Sequence, residues 1–144
     1  MLGDVEWVGA SEGGDEVFAF SIRLDSRYNL GNEWEMIVGV VSAGADVRDG
    51  DGCWSSVSGY IVGTGEKTAE GDGEGAPYAE DKPLPQDGSV ITTIYRPEAG
   101  SLEFALDGES MGVAFTRGIR PPVVPALAID ARAKISIVDD SFTK

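Results

Sequence analysis

The dipeptide Asp107-Gly108 sits between two apolar-rich arms, Leu102 to Leu106 and Met111 to Phe115. Both of its residues tolerate positive φ, as a two-residue type I′ hairpin turn requires. From Asp87 to Ile137 the chain is a series of three or four short apolar-rich runs joined by tight turns, a β-meander with no place for a long helix. Leu102, Phe104 and Leu106 alternate with Ser101, Glu103 and Ala105, and are expected to meet Met111, Val113 and Phe115 across the hairpin. Six such side chains on one face, at roughly 1.5–3 kcal/mol each when fully buried, would anchor a core between two sheets. Gly112 in the second arm reads as a bulge or a point of close strand approach.

The same period continues upstream. Phe18, Phe20, Ile22 and Leu24 alternate with Ala19, Ser21 and Arg23, giving a half-buried strand over Val17 to Leu24. Trp34 to Ser42 is almost unbroken apolar sequence, short and β-branched, as in a strand covered on both faces. Further strands are expected at Asp4 to Val8, Trp54 to Val62, Ser89 to Arg96, Val123 to Asp130 and Ala133 to Val138. About nine short strands without helical spacing predict an all-β fold, two antiparallel sheets packed face to face as a β-sandwich. Residues 1–144 read as a single domain, with its core at about 17–139. Thr64 to Gly88 holds seven acids, two lysines and three prolines with no periodicity, and reads as an acidic surface-loop insertion at 64–88.

Eleven basic residues against 25 acidic ones give a formal net charge of −14. Nucleic-acid binding rests largely on Lys and Arg neutralising phosphates, so this balance disfavours it, as it disfavours an anionic membrane surface. The charge either keeps the domain soluble or meets a basic partner. Cys53 is alone, so no disulfide framework exists. No run of about 18 apolar residues and no signal-peptide pattern are present, which makes a cytoplasmic or nuclear location the expectation. Histidine is absent, which removes His-activated serine or cysteine nucleophiles and most zinc sites. No catalytic residue, cofactor or metal is expected.

Several segments in order resemble the SPRY domain family. Phe18-Ala19-Phe20-Ser21-Ile22 is similar to its aromatic-rich strand, and Ile37-Val38-Gly39-Val40-Val41 to its Val-Gly-Val-Ala strand. Asp49-Gly50-Asp51-Gly52-Cys53-Trp54 resembles its acidic loop ending in Ser-Trp. Gly100 to Phe115, GSLEFALDGESMGVAF, resembles the family's most characteristic hairpin, and Pro125-Ala126-Leu127 its late Pro-Ala strand. The resemblance spans Phe18 to Val138. Asp107 stands where the family has asparagine and Cys53 where it has serine, the family's opening region is short or absent, and the 64–88 insertion is more acidic than a typical family loop.

The resemblance implies a concanavalin A-like sandwich and a non-catalytic protein–protein interaction module. Such a module recognises a peptide or protein partner through loops at one end. By that likeness Asp130 and Arg132, in the join between the last two strands, and Arg27 and Tyr28, in the loop from Asp25 to Gly31, are candidate partner contacts. Tyr60 is a further candidate, its ring offering a flat apolar face with a polar tip. Each of these has an ordinary reading as a turn or core residue. Trp54 reads as core. Asp46, Asp49 and Asp51 fall short of a calcium loop, because the twelfth position from Asp46 is Val57 and from Asp49 is Tyr60. Glu33 and Glu35 flank Trp34 as a loop-edge pair, and the acidic neighbours of Cys53 suppress its thiolate. The alternative function is a lectin-like carbohydrate-binding or glycan-hydrolysing β-sandwich, since related two-sheet folds bind sugars. A structural part of a larger assembly is a third.

Overall fold

Period-two alternation becomes two antiparallel sheets in the computed structural model, which describes residues 17–26, 36–42, 57–69, 75–120, 123–129 and 134–139. The strands are β1 (Phe18–Ser26), β2 (Met36–Ser42), β3 (Ser58–Ile61), β4 (Lys67–Thr68), β5 (Val90–Arg96), β6 (Ser101–Leu106), β7 (Glu109–Phe115), β8 (Val123–Ile129) and β9 (Lys134–Asp139). One sheet runs β7-β6-β5-β1-β9 and the other β4-β3-β2-β8. Among the described residues there is no helix, so none is long and apolar enough to cross a membrane. The expected strand at Asp4 to Val8 lies outside the described residues.

Register decides which side chains meet. Across the five-stranded sheet Phe18 faces Tyr95, Phe20 faces Thr93 and Ile22 faces Ile91. Tyr95, Thr93 and Ile91 in turn face Leu102, Phe104 and Leu106. These rows form one wall of the core. The other wall comes from Met36, Val38 and Val40 of β2, Tyr60 of β3 and Val123 of β8. β2 is buried on both faces, as its unbroken apolar sequence predicts. Its alternate residues Ile37 and Val41 join Val57, Ile61, Val124, Ala126 and Ala128 in a second buried cluster on the other side of the same sheet.

The hairpin forms as its turn dipeptide requires, with φ of +52° at Asp107 and +85° at Gly108. Its face differs from expectation at one residue. Leu102, Phe104 and Met111 are buried, and Leu106 and Phe115 pack against the core, but Val113 is 45% exposed. The first of two register shifts along this pairing, counted from the turn, causes it. Ala105 pairs with Ser110 and Glu103 with Val113, so β7 inserts an extra residue around Gly112, whose φ is +96°. The extra residue turns Val113 to the outer face beside Glu103, and Ala114 turns inward in its place. A built Cβ on Gly112 would touch nothing, so backbone conformation, not close approach, explains this glycine.

The stretch expected as an acidic surface loop is, in its described residues, partly built into the fold. Lys67–Thr68 adds an edge strand to β3, and Lys67 exchanges backbone hydrogen bonds with Ala76. Lys67 Nζ donates to the Ala114 carbonyl of β7 and lies 5.0 Å from the Phe115 ring centroid. Ala79 is 1% exposed, and its N–H donates to the Gly65 carbonyl. Tyr78 packs edge-on against Tyr60 and Phe104 at centroid distances of 6.1 Å each, and its hydroxyl donates to the Gly112 carbonyl. A segment with so little apolar sequence is held by one aromatic anchor and a short ladder.

Candidate functional site

Strand ends show which loops share a surface. Ser26 pairs with Lys134 and Met36 with Ile129. The connections 27–35 and 130–133 therefore start and finish at one end of the sandwich. The hairpin turn reaches the same end, because Asp107 exchanges hydrogen bonds with Val90, and Val90 pairs with Arg23 near the close of β1. The turn 62–66 joins them, since Ile61 pairs with Ile37 at the start of β2. Arg27 and Tyr28 belong to the first connection and Asp130 and Arg132 to the second, and all four lie outside the described residues. So do Glu33, Glu35, Asp46, Asp49, Asp51, Cys53 and Trp54.

Tyr60 is corrected. It lies within β3, fully buried, with its ring 5.9 Å from that of Phe104. Its position opposite Val38 directs it into the core, so its flat face supports Tyr78 and offers nothing to a partner.

At the end that carries these loops the described residues form a cleft of about 410 Å³. The hairpin supplies Leu106, Asp107, Glu109, Ser110 and Met111, and the insertion supplies Asp81, Lys82 and Pro83. Met111 is 7% exposed and Leu106 partly buried, giving an apolar floor. Asp81, Lys82, Asp107 and Glu109 are exposed around it. Three carboxylates against one ammonium leave the rim with a net charge of two negative. One Asp107 oxygen is committed to the Val90 N–H at 2.8 Å, which fixes the turn. Ser110 donates to Glu103 at 2.6 Å, Glu103 also accepts from Arg96 at 2.9 Å, and Ser110 accepts from the Gly112 N–H at 3.0 Å. The hairpin arm bearing Glu109 is thereby braced from the outer face. The opposite wall is fixed by the Tyr78 hydroxyl and by the Lys82 N–H, which donates to the Ala79 carbonyl at 3.1 Å.

A second cleft, of about 340 Å³, opens at the other end between Val40, Ser42, Ser58, Ala69, Val123 and the segment Gly118 to Arg120. Tyr95 ties that segment down, donating to the Ile119 carbonyl at 2.7 Å, and the Ile119 N–H donates to the Gly100 carbonyl at 3.0 Å. Among the described residues, Arg120 is its one charged lining residue.

Sequence reasoning did not single out Asp81, Leu106, Glu109 or Met111 as a site. Met111 and Leu106 read correctly as hairpin apolar residues, and nothing in their spacing says that the insertion folds beside them. The signal available was Tyr78, the one aromatic residue between Ile61 and Ile94, where an isolated large ring in a polar segment marks a docking point.

No protein-family model matches the chain, and no curated protein matches it in sequence. Among solved structures it is similar to the SPRY domain of human HERC1, with a TM-score of 0.66 and 17% sequence identity, over 94% of this chain and 79% of that one. Two antiparallel sheets of five and four strands, closed by a type I′ hairpin and carrying recessed loop surfaces at both ends, thus have the SPRY-like fold that the hairpin sequence foreshadows.

Proposed function

We propose that this chain is a protein-recognition module that binds a peptide or protein partner through the loop end of its sandwich and performs no chemistry on it. The observation that carries this reading is the likeness to a SPRY domain over 94% of the chain, since SPRY domains generally serve as interaction modules. The architecture supports it. A sandwich with buried rows on both walls holds its loops at fixed spacing, which lowers the ordering cost of binding. The hairpin turn lies at the loop end, and the connections that carry Arg27, Tyr28, Asp130 and Arg132 link strands whose described ends lie there. Arg and Tyr are enriched among residues that dominate interface energetics.

The test is selection of a randomised peptide library on the immobilised full chain, with selected peptides re-measured in solution. We expect dissociation constants of about 1–100 μM, a gain of roughly 5–8 kcal/mol. We also expect loss of binding in an Arg27→Ala/Tyr28→Ala or Asp130→Ala/Arg132→Ala variant. Turnover of a glycoside or ester panel, abolished by replacing a single acid, would sink the reading.

A further inference from the structure

We infer that the cleft between the β6–β7 hairpin and residues 81–83 receives a basic segment of the partner, with a lysine or arginine side chain lying along its floor. This rests on the protein-recognition reading and gives that site its partner chemistry. The occupant follows from shape and charge together. A cleft of about 410 Å³ has the volume for one or two long side chains, not for a folded element. Its floor, Leu106 and Met111, is apolar, and its exposed rim carries Asp81, Asp107 and Glu109 against Lys82 alone. Lysine and arginine are the side chains with an apolar stem and a cationic head, so one residue satisfies both parts of the cleft. An acidic segment would meet three carboxylates, and a purely apolar one would leave the rim charges beside a desolvated surface.

Two further observations favour this occupant. Asp81 and Glu109 have no ion-pair partner among the described residues, whereas Arg23 with Asp25 and Arg96 with Glu103 are paired elsewhere on the same sheet. Among the described residues the charges of Asp81 and Glu109 are thus left unpaired by the fold. The formal charge of −14 on the whole chain adds a long-range field that draws a cationic segment toward it. The insertion, otherwise a costly acidic detour, gains a role as the second wall.

The experiment uses the full chain and three synthetic peptides of equal length. Their cores are Leu-Arg-Lys-Leu, Leu-Ser-Gln-Leu and Leu-Glu-Asp-Leu. Affinity is read by fluorescence anisotropy, and the Met111 methyl resonance reports occupancy. Two variants carry the same change in charge. Glu109→Lys alters the rim, while Glu98→Lys alters an exposed residue in the β5–β6 turn at the opposite end of the sandwich. The basic peptide is expected to bind and to shift the Met111 methyl. Glu109→Lys is expected to weaken it about tenfold and Glu98→Lys less than about twofold. Equal weakening by both variants would mean attraction to net charge alone and would overturn the assignment. Preference for the neutral or acidic peptide, unaffected by Glu109→Lys, would overturn the cleft's occupant while leaving the module reading intact. Failure of all three peptides, together with failure of the library selection, would overturn both.

Discussion

Thr93 places a hydroxyl where no described residue bonds it. The residue is fully buried on the inner face of β5, between Phe20 and Phe104 in register, and Oγ1 has no hydrogen-bond partner among the described residues. A buried hydroxyl without a partner carries its full desolvation cost, about 1–3 kcal/mol. Valine has nearly the same shape and removes the polar atom. Thr93→Val is therefore expected to raise stability by about 1 kcal/mol, seen as a higher urea midpoint with an unchanged slope. The neighbouring pair on the outer face behaves oppositely. Ser21 and Thr92 hydrogen-bond to each other at 2.7 Å, so the matching Thr92→Val change strands a partner and is expected to destabilise. Alternation made both faces of β5 legible, because Thr93 shares its parity with the apolar Ile91 and Tyr95. Sequence could not show that only the outward threonine finds a hydroxyl across the sheet, which depends on the register with β1.

The insertion is the element whose reading changed most. Its edge strand spans only Lys67–Thr68, too short to leave a period-two trace, and its attachment is by the Tyr78 ring. Tyr78→Phe keeps the ring contacts and deletes the hydrogen bond to Gly112, so it is expected to cost about 1 kcal/mol and to speed amide exchange in residues 75–83. Tyr78→Ala removes the ring as well, with an expected loss of about 3 kcal/mol, most of it local to the cleft wall. Wild-type exchange rates throughout 75–83 in the Ala variant would show that the ring is not the anchor. The hairpin was the opposite case. Asp107-Gly108 announced its turn type from two letters, because only positive φ at both positions closes a two-residue I′ loop. What those letters could not carry was the extra residue at Gly112, which reversed the phase of Val113. A glycine in a strand signals a bulge without saying on which side of it the alternation restarts.

At the scale of the molecule, strand order and the end at which loops gather come from register between distant segments, and no local pattern encodes them. Sequence yielded eight of the nine described strands and the two-sheet architecture, since each follows from alternation and turn chemistry. Resemblance yielded the SPRY-like form of that architecture. The same long-range closure makes the whole fold sensitive to alkali. Burial pushes the phenol of Tyr78 up to about 12, with the nearby Glu103 carboxylate adding to the shift, and burial alone pushes Tyr95 to about 12. Both ordinary values are 10.0, so between pH 10 and about 12 the unfolded chain releases protons that the folded one retains. A raised folded pKa contributes stability that is complete below the unfolded value and is lost as pH climbs through the folded one. The urea midpoint is thus expected to hold up to about pH 10 and then to fall, with tyrosinate absorbance from these two rings delayed toward about pH 12 while the fold persists. The two phenols sit at opposite ends of the sandwich, Tyr78 bonded to Gly112 and Tyr95 to Ile119. Ionising either one releases a different loop surface, so Tyr78→Phe and Tyr95→Phe are each expected to flatten the alkaline slope, and the double variant to flatten it further. Lysines titrate in the same range in every variant, which leaves the difference between variants as the readout. An unchanged slope in the double variant would place the alkaline transition elsewhere and break the link between these two buried phenols and the integrity of the loop ends.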